Sequence, residues 1–211
     1  KFFSGPESFT PDTNTLLGEV PEIKNFFVCC GLNSIGIGSG GGVGKVTAEW
    51  LINGHINEDI FSYDIKRFQK FHSELGFIKE RITETLGDLY GMHWPFKQHK
   101  TSRDQKLTPY HDDMKKAGAC FGVTGGYERP MWYATNGQKP EYEYSYNYQN
   151  WYPAVEHETK NTRENVGLFD LTAFSKYDLK GKNFHFELQK LCTANIKNET
   201  GKTTYTQMLN E

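Results

Sequence analysis

The chain of 211 residues carries 24 Lys and Arg against 26 Asp and Glu, a near balance that argues against binding dominated by phosphate neutralisation. Aromatics form 15% of the residues and are spread along the chain, which favours ordered structure, and no apolar run approaches the roughly 20 residues of a membrane span. Neither a nucleic-acid partner nor a membrane span is expected.

From the N-terminal side, turn signals at Gly5-Pro6, Pro11-Asp12, Gly18 and Pro21 separate short extended pieces. NFFVCC, residues 25–30, predicts a buried strand, with Cys29 and Cys30 as small hydrophobes in a reducing compartment. A glycine-rich loop follows, and VGKVTAEWLING, residues 43–54, predicts a short amphipathic helix ending at Gly54. Residues 61–71 are aromatic and basic, and Leu75, Ile78, Ile82, Leu86 and Leu89 predict a helix over 74–90. After a polar connection, Thr108-Pro109 reads as the opening of a short helix toward Lys116. Residues 120–151 are extended or looped and rich in Tyr and Trp; Arg129 and Lys139 are their only cations beside several Glu, so packing explains the rings better than base stacking. The remainder reads as a helix over 154–167, strands with a turn over 168–181, a helix over 183–196 and a strand opening at 203.

The glycine-rich stretch CCGLNSIGIGSGGGVGK contains two partial fingerprints. The P-loop pattern fails, because Ser39 stands where its first glycine belongs and Val46 follows Lys45 where a magnesium-binding hydroxyl is needed. Gly36, Gly38 and Gly41 meet GxGxxG literally, but five residues separate Gly36 from Cys30, and no apolar strand ending in an acid follows the helix. What remains is a strand, a permissive turn and a helix start with unpaired N–H groups, which attracts electron-rich atoms. The alternative is tight strand–helix packing with no ligand.

Further along, Lys45 reads as an exposed first-turn residue, His93 as part of a packed loop, and His111 and His157 as surface residues. Tyr127-Glu128-Arg129-Pro130 reads as an ion-pair and packing element. The seven histidines show no metal-ligand spacing, the cysteines no CxxC, and neither a metal site nor a catalytic residue is assigned.

The segment from Phe3 to Gly54 resembles the closing part of the flavin domain in the D-amino-acid-oxidase-like superfamily, in its dimethylglycine and sarcosine dehydrogenase branch. Gly5, Pro6, Thr10, Pro11, Asp12 and Gly18 carry the first block, and Gly31, Asn33, Ser34, Gly36, Gly41, Gly42, Gly44 and Lys45 the second. YDIKRF (63–68), MHWP (92–95), AGACFGVTGGYERPMWY (117–133) and NWY (150–152) are similar to the central domain of that family. VGLFDLTAFSKYDLKG (166–181) and YTQMLNE (205–211) resemble the opening of a glycine-cleavage T-protein-like aminomethyltransferase domain.

The resemblance implies an α+β architecture with mixed sheets, built on an α/β flavin-domain remnant. Residues 1–56 would close the FAD-dependent oxidoreductase domain, 57–153 form a central linking domain, and 154–211 open the aminomethyltransferase domain. The chain would then be an internal portion of a longer polypeptide. FAD is the implied cofactor and tetrahydrofolate a second one; the implied partners are a small-molecule amine, an electron-accepting flavoprotein and the rest of the polypeptide, in the mitochondrial matrix. Gly31, Leu32, Asn33, Ser34, Ile35, Gly36, Ile37 and Gly41 would lie along the flavin ring, with the helix starting near Gly41 and the glycines supplying positive φ. The implied reaction is oxidative demethylation of sarcosine or dimethylglycine. A catalytically silent relative, regulatory or structural, is the alternative.

Overall fold

The computed structural model describes residues 1–209, so the expected strand at 203–211 lies partly outside them, at Asn210 and Glu211. The chain forms two compact units, Lys1–Ala173 and a second from Phe174 onward.

In the first unit, β1 (Leu16–Glu19) and β2 (Phe27–Cys30) pair antiparallel, Leu16 opposite Cys30. Helix α1 (Gly36–Asn53) returns over this ribbon and ends on Gly54, whose left-handed backbone (φ +74) lets its N–H reach the Trp50 carbonyl. Trp50 is the helix's anchor. Its ring meets Phe27 edge-on at 5.9 Å and crosses Gly18 so closely that a Cβ there would lie 2.6 Å from the indole. The strand expected at 25–30 therefore exists as Phe27–Cys30, but only Phe27 and Val28 are half-buried, and Cys29 and Cys30 are exposed rather than in a core. A two-stranded ribbon covered on one side by one indole has no second layer in which to bury them.

Helix α2 (Leu75–Asp88) occupies the expected span but turns a different face inward. Phe77, Arg81 and Thr85 are buried, whereas Leu75 is 79% exposed. The reason is polar: Arg81 Nη2 donates to the Thr101 carbonyl at 2.6 Å, and the Glu84 carboxylate accepts the N–H groups of Lys100 (2.7 Å) and Thr101 (2.9 Å), tying the 97–103 loop to this side.

Helix α3 (His111–Lys116) starts two residues after Pro109 and packs on the hairpin β3 (Ala119–Thr124) and β4 (Tyr127–Tyr133). Gly125 and Gly126, both at positive φ, form its turn, and the register shifts between Cys120 and Phe121, opposite the strand that carries Pro130. Both sheets are antiparallel rather than mixed; parallel pairing occurs only as single bridges, Leu17 with Asp64 and Lys106 with Tyr127, among the described residues. His111 is not a surface residue. It is 6% exposed, its ring stacked on Phe121 at 4.3 Å, because the short helix must rest its first turn on β3. Helix α4 (Tyr152–Glu164) follows, and Cys120, Trp132 and Ala154 form the core with Tyr142, Trp151 and Val155 around them, so this core crosses the domain boundary expected at 153/154.

The expected strands over 168–181 are absent; that stretch is irregular. In the second unit, α5 (Phe184–Leu191) is followed by a bridge between Cys192 and Met208, and Leu209 N–H donates to the Leu191 carbonyl at 2.9 Å.

Candidate functional site

The turn between β2 and α1 is held from within by a polar network. Asn33 is 3% exposed and left-handed (φ +46); its Oδ1 accepts the Thr10 N–H at 2.8 Å, and its Nδ2 donates to the Gly31 carbonyl. Thr10 Oγ1 donates to the Asn14 carbonyl at 2.8 Å. Beneath it, Arg67 grips Asp12 with both arms, Nε at 2.6 Å and Nη2 at 3.0 Å, and donates further to the carbonyls of Asn14 (2.9 Å) and Tyr63 (2.8 Å). Gly31 is obligatory here, since at φ +64 a Cβ would sit 2.6 Å from Thr10 Cγ2.

Asn33 and Ser34, both at positive φ, then turn the chain into α1. The helix begins at Gly36, one and a half turns before the expected Gly41, so the glycines from Gly36 to Gly44 are helical and the left-handed residues are Gly31, Asn33 and Ser34 instead. Glycine lowers helix stability by about 1 kcal/mol per residue relative to Ala but does not forbid it. Here the left-handed turn ends abruptly, and the Ser39 N–H and hydroxyl both reach the Ile35 carbonyl at 2.9 Å to close the first turn.

The first ladder bond therefore starts at Ser39, and the N–H groups of Gly36, Ile37 and Gly38 have no helical partner. No side chain caps them and no acidic residue occupies the first turn. The surface around them is bare: Ile37 is fully exposed, and a Cβ at Gly38, Gly40 or Gly41 would meet nothing within 4 Å. Of the sequence-predicted residues, Ser34, Ile35, Gly36 and Ile37 gather at this helix start. Gly31 and Asn33 lie beneath as braces, Leu32 packs beside Gly36, and Gly41 falls in the second turn, where it offers open surface and no free amide. Three unpaired amides at the positive end of a helix dipole, with no side chain in front of them, fit a flat, electron-rich group.

Elsewhere, Lys45 is exposed and paired with Glu49 at 3.6 Å, and the His93 carbonyl accepts the Tyr146 hydroxyl at 3.0 Å. Glu128, 1% exposed, is bound by both arms of Arg103 and by the Asp104 N–H, so this block is an ion-pair element whose partner is Arg103 rather than its neighbour Arg129. Burial pushes the Cys120 thiol up to about 11, which keeps it neutral and unreactive. Sequence reasoning missed Arg67 and Arg103 as organisers. Each meets its carboxylate across a long separation, 55 residues for Asp12, which no local pattern reveals.

The chain is similar to known proteins along its whole length. Residues 53–108 match the model of the FAD dependent oxidoreductase central domain, and residues 110–211 match that of the GCVT N-terminal domain. A 4-methylaminobutanoate oxidase (formaldehyde-forming) of Paenarthrobacter nicotinovorans is 43% identical over all of this chain. The chain belongs to the dimethylglycine and sarcosine dehydrogenase family. Human mitochondrial sarcosine dehydrogenase is 32% identical over 98% of the chain. The mouse mitochondrial pyruvate dehydrogenase phosphatase regulatory subunit is 31% identical over 100% of it. The chain spans about a quarter of the length of each of these relatives (26%, 25% and 25%). No helix among the described residues is long and apolar enough to cross a membrane.

Proposed function

We propose that the protein containing this chain is an FAD-dependent oxidase or dehydrogenase of an N-methylated amino acid, and that residues 1–56 close its flavin domain. The observation that carries the reading is the uncapped start of α1. The N–H groups of Gly36, Ile37 and Gly38 stand free behind a rigid left-handed turn, in a chain 43% identical to a methylaminobutanoate oxidase. When bound, FAD accepts the two electrons that leave the amine. The three amides stabilise negative charge on a ring edge placed against them, and because Asn33, Thr10, Asp12 and Arg67 fix the turn, they do so without reorganising. Gly31, Leu32, Asn33, Ser34, Ile35, Gly36, Ile37 and Gly41 are the proposed flavin-edge segment.

The aminomethyltransferase-type portion supports tetrahydrofolate as acceptor of the released one-carbon unit. The word mitochondrial in two relatives' names supports a matrix location. The likeness to a phosphatase regulatory subunit favours a second reading, a family member with no turnover. The test is to incubate the intact protein with sarcosine, dimethylglycine or 4-methylaminobutanoate and assay formaldehyde, then repeat with tetrahydrofolate. Formaldehyde from one amine, diminished by folate, is expected; none from any of them supports the regulatory reading.

A further inference from the structure

Asparagine followed by glycine occurs twice in the chain, at Asn53-Gly54 and at Asn136-Gly137. The pair is chemically labile because glycine leaves its backbone nitrogen unscreened by a side chain. When that nitrogen gives up its proton it can attack the preceding asparagine Cγ. The new N–Cγ bond closes a succinimide ring, and the side-chain nitrogen leaves as ammonia, taking up the proton. Water then opens the ring at either carbonyl, giving aspartate or its β-linked isomer, with no oxidant, metal or second protein involved. The attack asks two things of the fold: a glycine N–H that is not held elsewhere, and a backbone that can bring the nitrogen to Cγ.

At Asn53 the fold withholds both. Asn53 is the last residue of α1, and the Gly54 N–H donates to the Trp50 carbonyl at 2.9 Å. That bond aims the nitrogen back along the helix, away from the Asn53 side chain, and Trp50 is itself anchored against Phe27. At Asn136 neither restraint operates. Asn136 and Gly137 are the central residues of a turn, left-handed at φ +53 and φ +76, and closed by the Gln138 N–H on the Thr135 carbonyl at 3.0 Å. That bond bypasses Gly137, whose N–H has no hydrogen-bond partner among the described residues, and the Asn136 side chain has none either. Both pairs are solvent-exposed, and a Cβ on either glycine would meet nothing within 4 Å. Access to water therefore does not separate them; engagement of the glycine N–H does.

We propose that Asn136 is a site of spontaneous deamidation in the folded protein, and that its helix end protects Asn53. The product places a carboxylate between Thr135 and Gln138 and, in the β-linked form, one further backbone carbon. Gln138 Nε2 donates to the Asn150 carbonyl at 2.8 Å, two residues before α4, so the altered turn is tied to the start of that helix. The proposal does not depend on the flavin reading.

The test ages the intact protein in mildly alkaline buffer and follows the conversion of each asparagine by mass spectrometry of its peptides, with a parallel incubation in guanidinium chloride. In the folded protein Asn136 is expected to convert about 10-fold faster than Asn53, the scale set by one engaged hydrogen bond. In denaturant, where the Gly54 N–H is released, the two should convert at comparable rates. Equal rates in the folded protein, the reverse order, or no conversion at Asn136 while the denatured chain converts overturns the proposal. So does a difference that persists undiminished in denaturant, which would assign the ranking to the flanking sequence and not to the fold.

Discussion

Removing Arg103 and removing the charge of Glu128 break the same ion pair, yet the structure makes the two losses unequal. In Arg103→Ala, the Glu128 carboxylate, 1% exposed in the intact pair, keeps only the Asp104 N–H at 2.9 Å. An uncompensated buried charge of this kind costs about 3–5 kcal/mol. In Glu128→Gln, Arg103 remains 25% exposed, with water at hand and the His99 and Phe121 carbonyls still accepting at 3.1 Å. The loss there is closer to about 1–3 kcal/mol. The two differ in pH dependence as well. Burial alone raises the Glu128 carboxyl, but the Arg103 guanidinium and the Asp104 N–H outweigh it and hold the group below its ordinary 4.5. A depressed acid contributes stability that is fully present above about 4.5 and is lost as the pH falls through its lower folded value. Without Arg103 the carboxyl rises and escapes its penalty by protonation, so the cost of Arg103→Ala shrinks on acidification. Native-state hydrogen exchange over residues 119–133 of the intact protein, at pH 7 and near pH 4.5, reads these costs locally. Equal costs at pH 7, the reverse order, or an Arg103→Ala penalty that grows in acid would refute the reasoning.

Three further outcomes follow from the geometry. Gly18→Ala adds a Cβ 2.6 Å from the Trp50 ring at φ +109, and should lower the stability of the β1–β2–α1 segment by about 1–3 kcal/mol, read as faster exchange there; an unchanged rate contradicts the packing. Gly36→Val places its Cβ 2.9 Å from Leu32 Cδ1 and its methyls beside the free amides, so it should weaken flavin retention while leaving the hairpin core intact; parental flavin content would displace the cofactor edge from this loop. His72 and His99 are both lowered from 6.5, first by burial, and His72 Nδ1 accepts the Gln69 N–H at 2.9 Å, a bond its protonation removes. Their neutral forms contribute stability that is present above 6.5 and lost as the pH falls through the depressed folded values, so exchange over 69–77 should accelerate in that window, and pH-independent protection would contradict it.

The elements governed by local chemistry were legible in the sequence: the strand before the glycine loop, the Gly54 stop, α2, and the helix after NWY. Elements governed by tertiary partners were not. Nothing near Leu75 announces that Arg81 and Glu84 will turn α2 toward the 97–103 loop, and nothing near His111 announces that Phe121 will cover it. The glycine loop misled in an instructive way. Its composition points to an extended, left-handed turn, but the left-handed residues are Gly31, Asn33 and Ser34, and the glycines beyond them yield to the helix. The helix starts about one and a half turns before the expected Gly41, and the brace of the turn, Asp12 with Arg67, spans a separation that only the fold reveals.

The most direct test of the central claim is the visible absorbance spectrum of the intact protein before and after an anaerobic addition of sarcosine, dimethylglycine or 4-methylaminobutanoate. The account predicts flavin bands in the purified protein that bleach with one of these amines. A protein with no flavin bands would contradict it and leave the uncapped start of α1 as an inheritance without a cofactor.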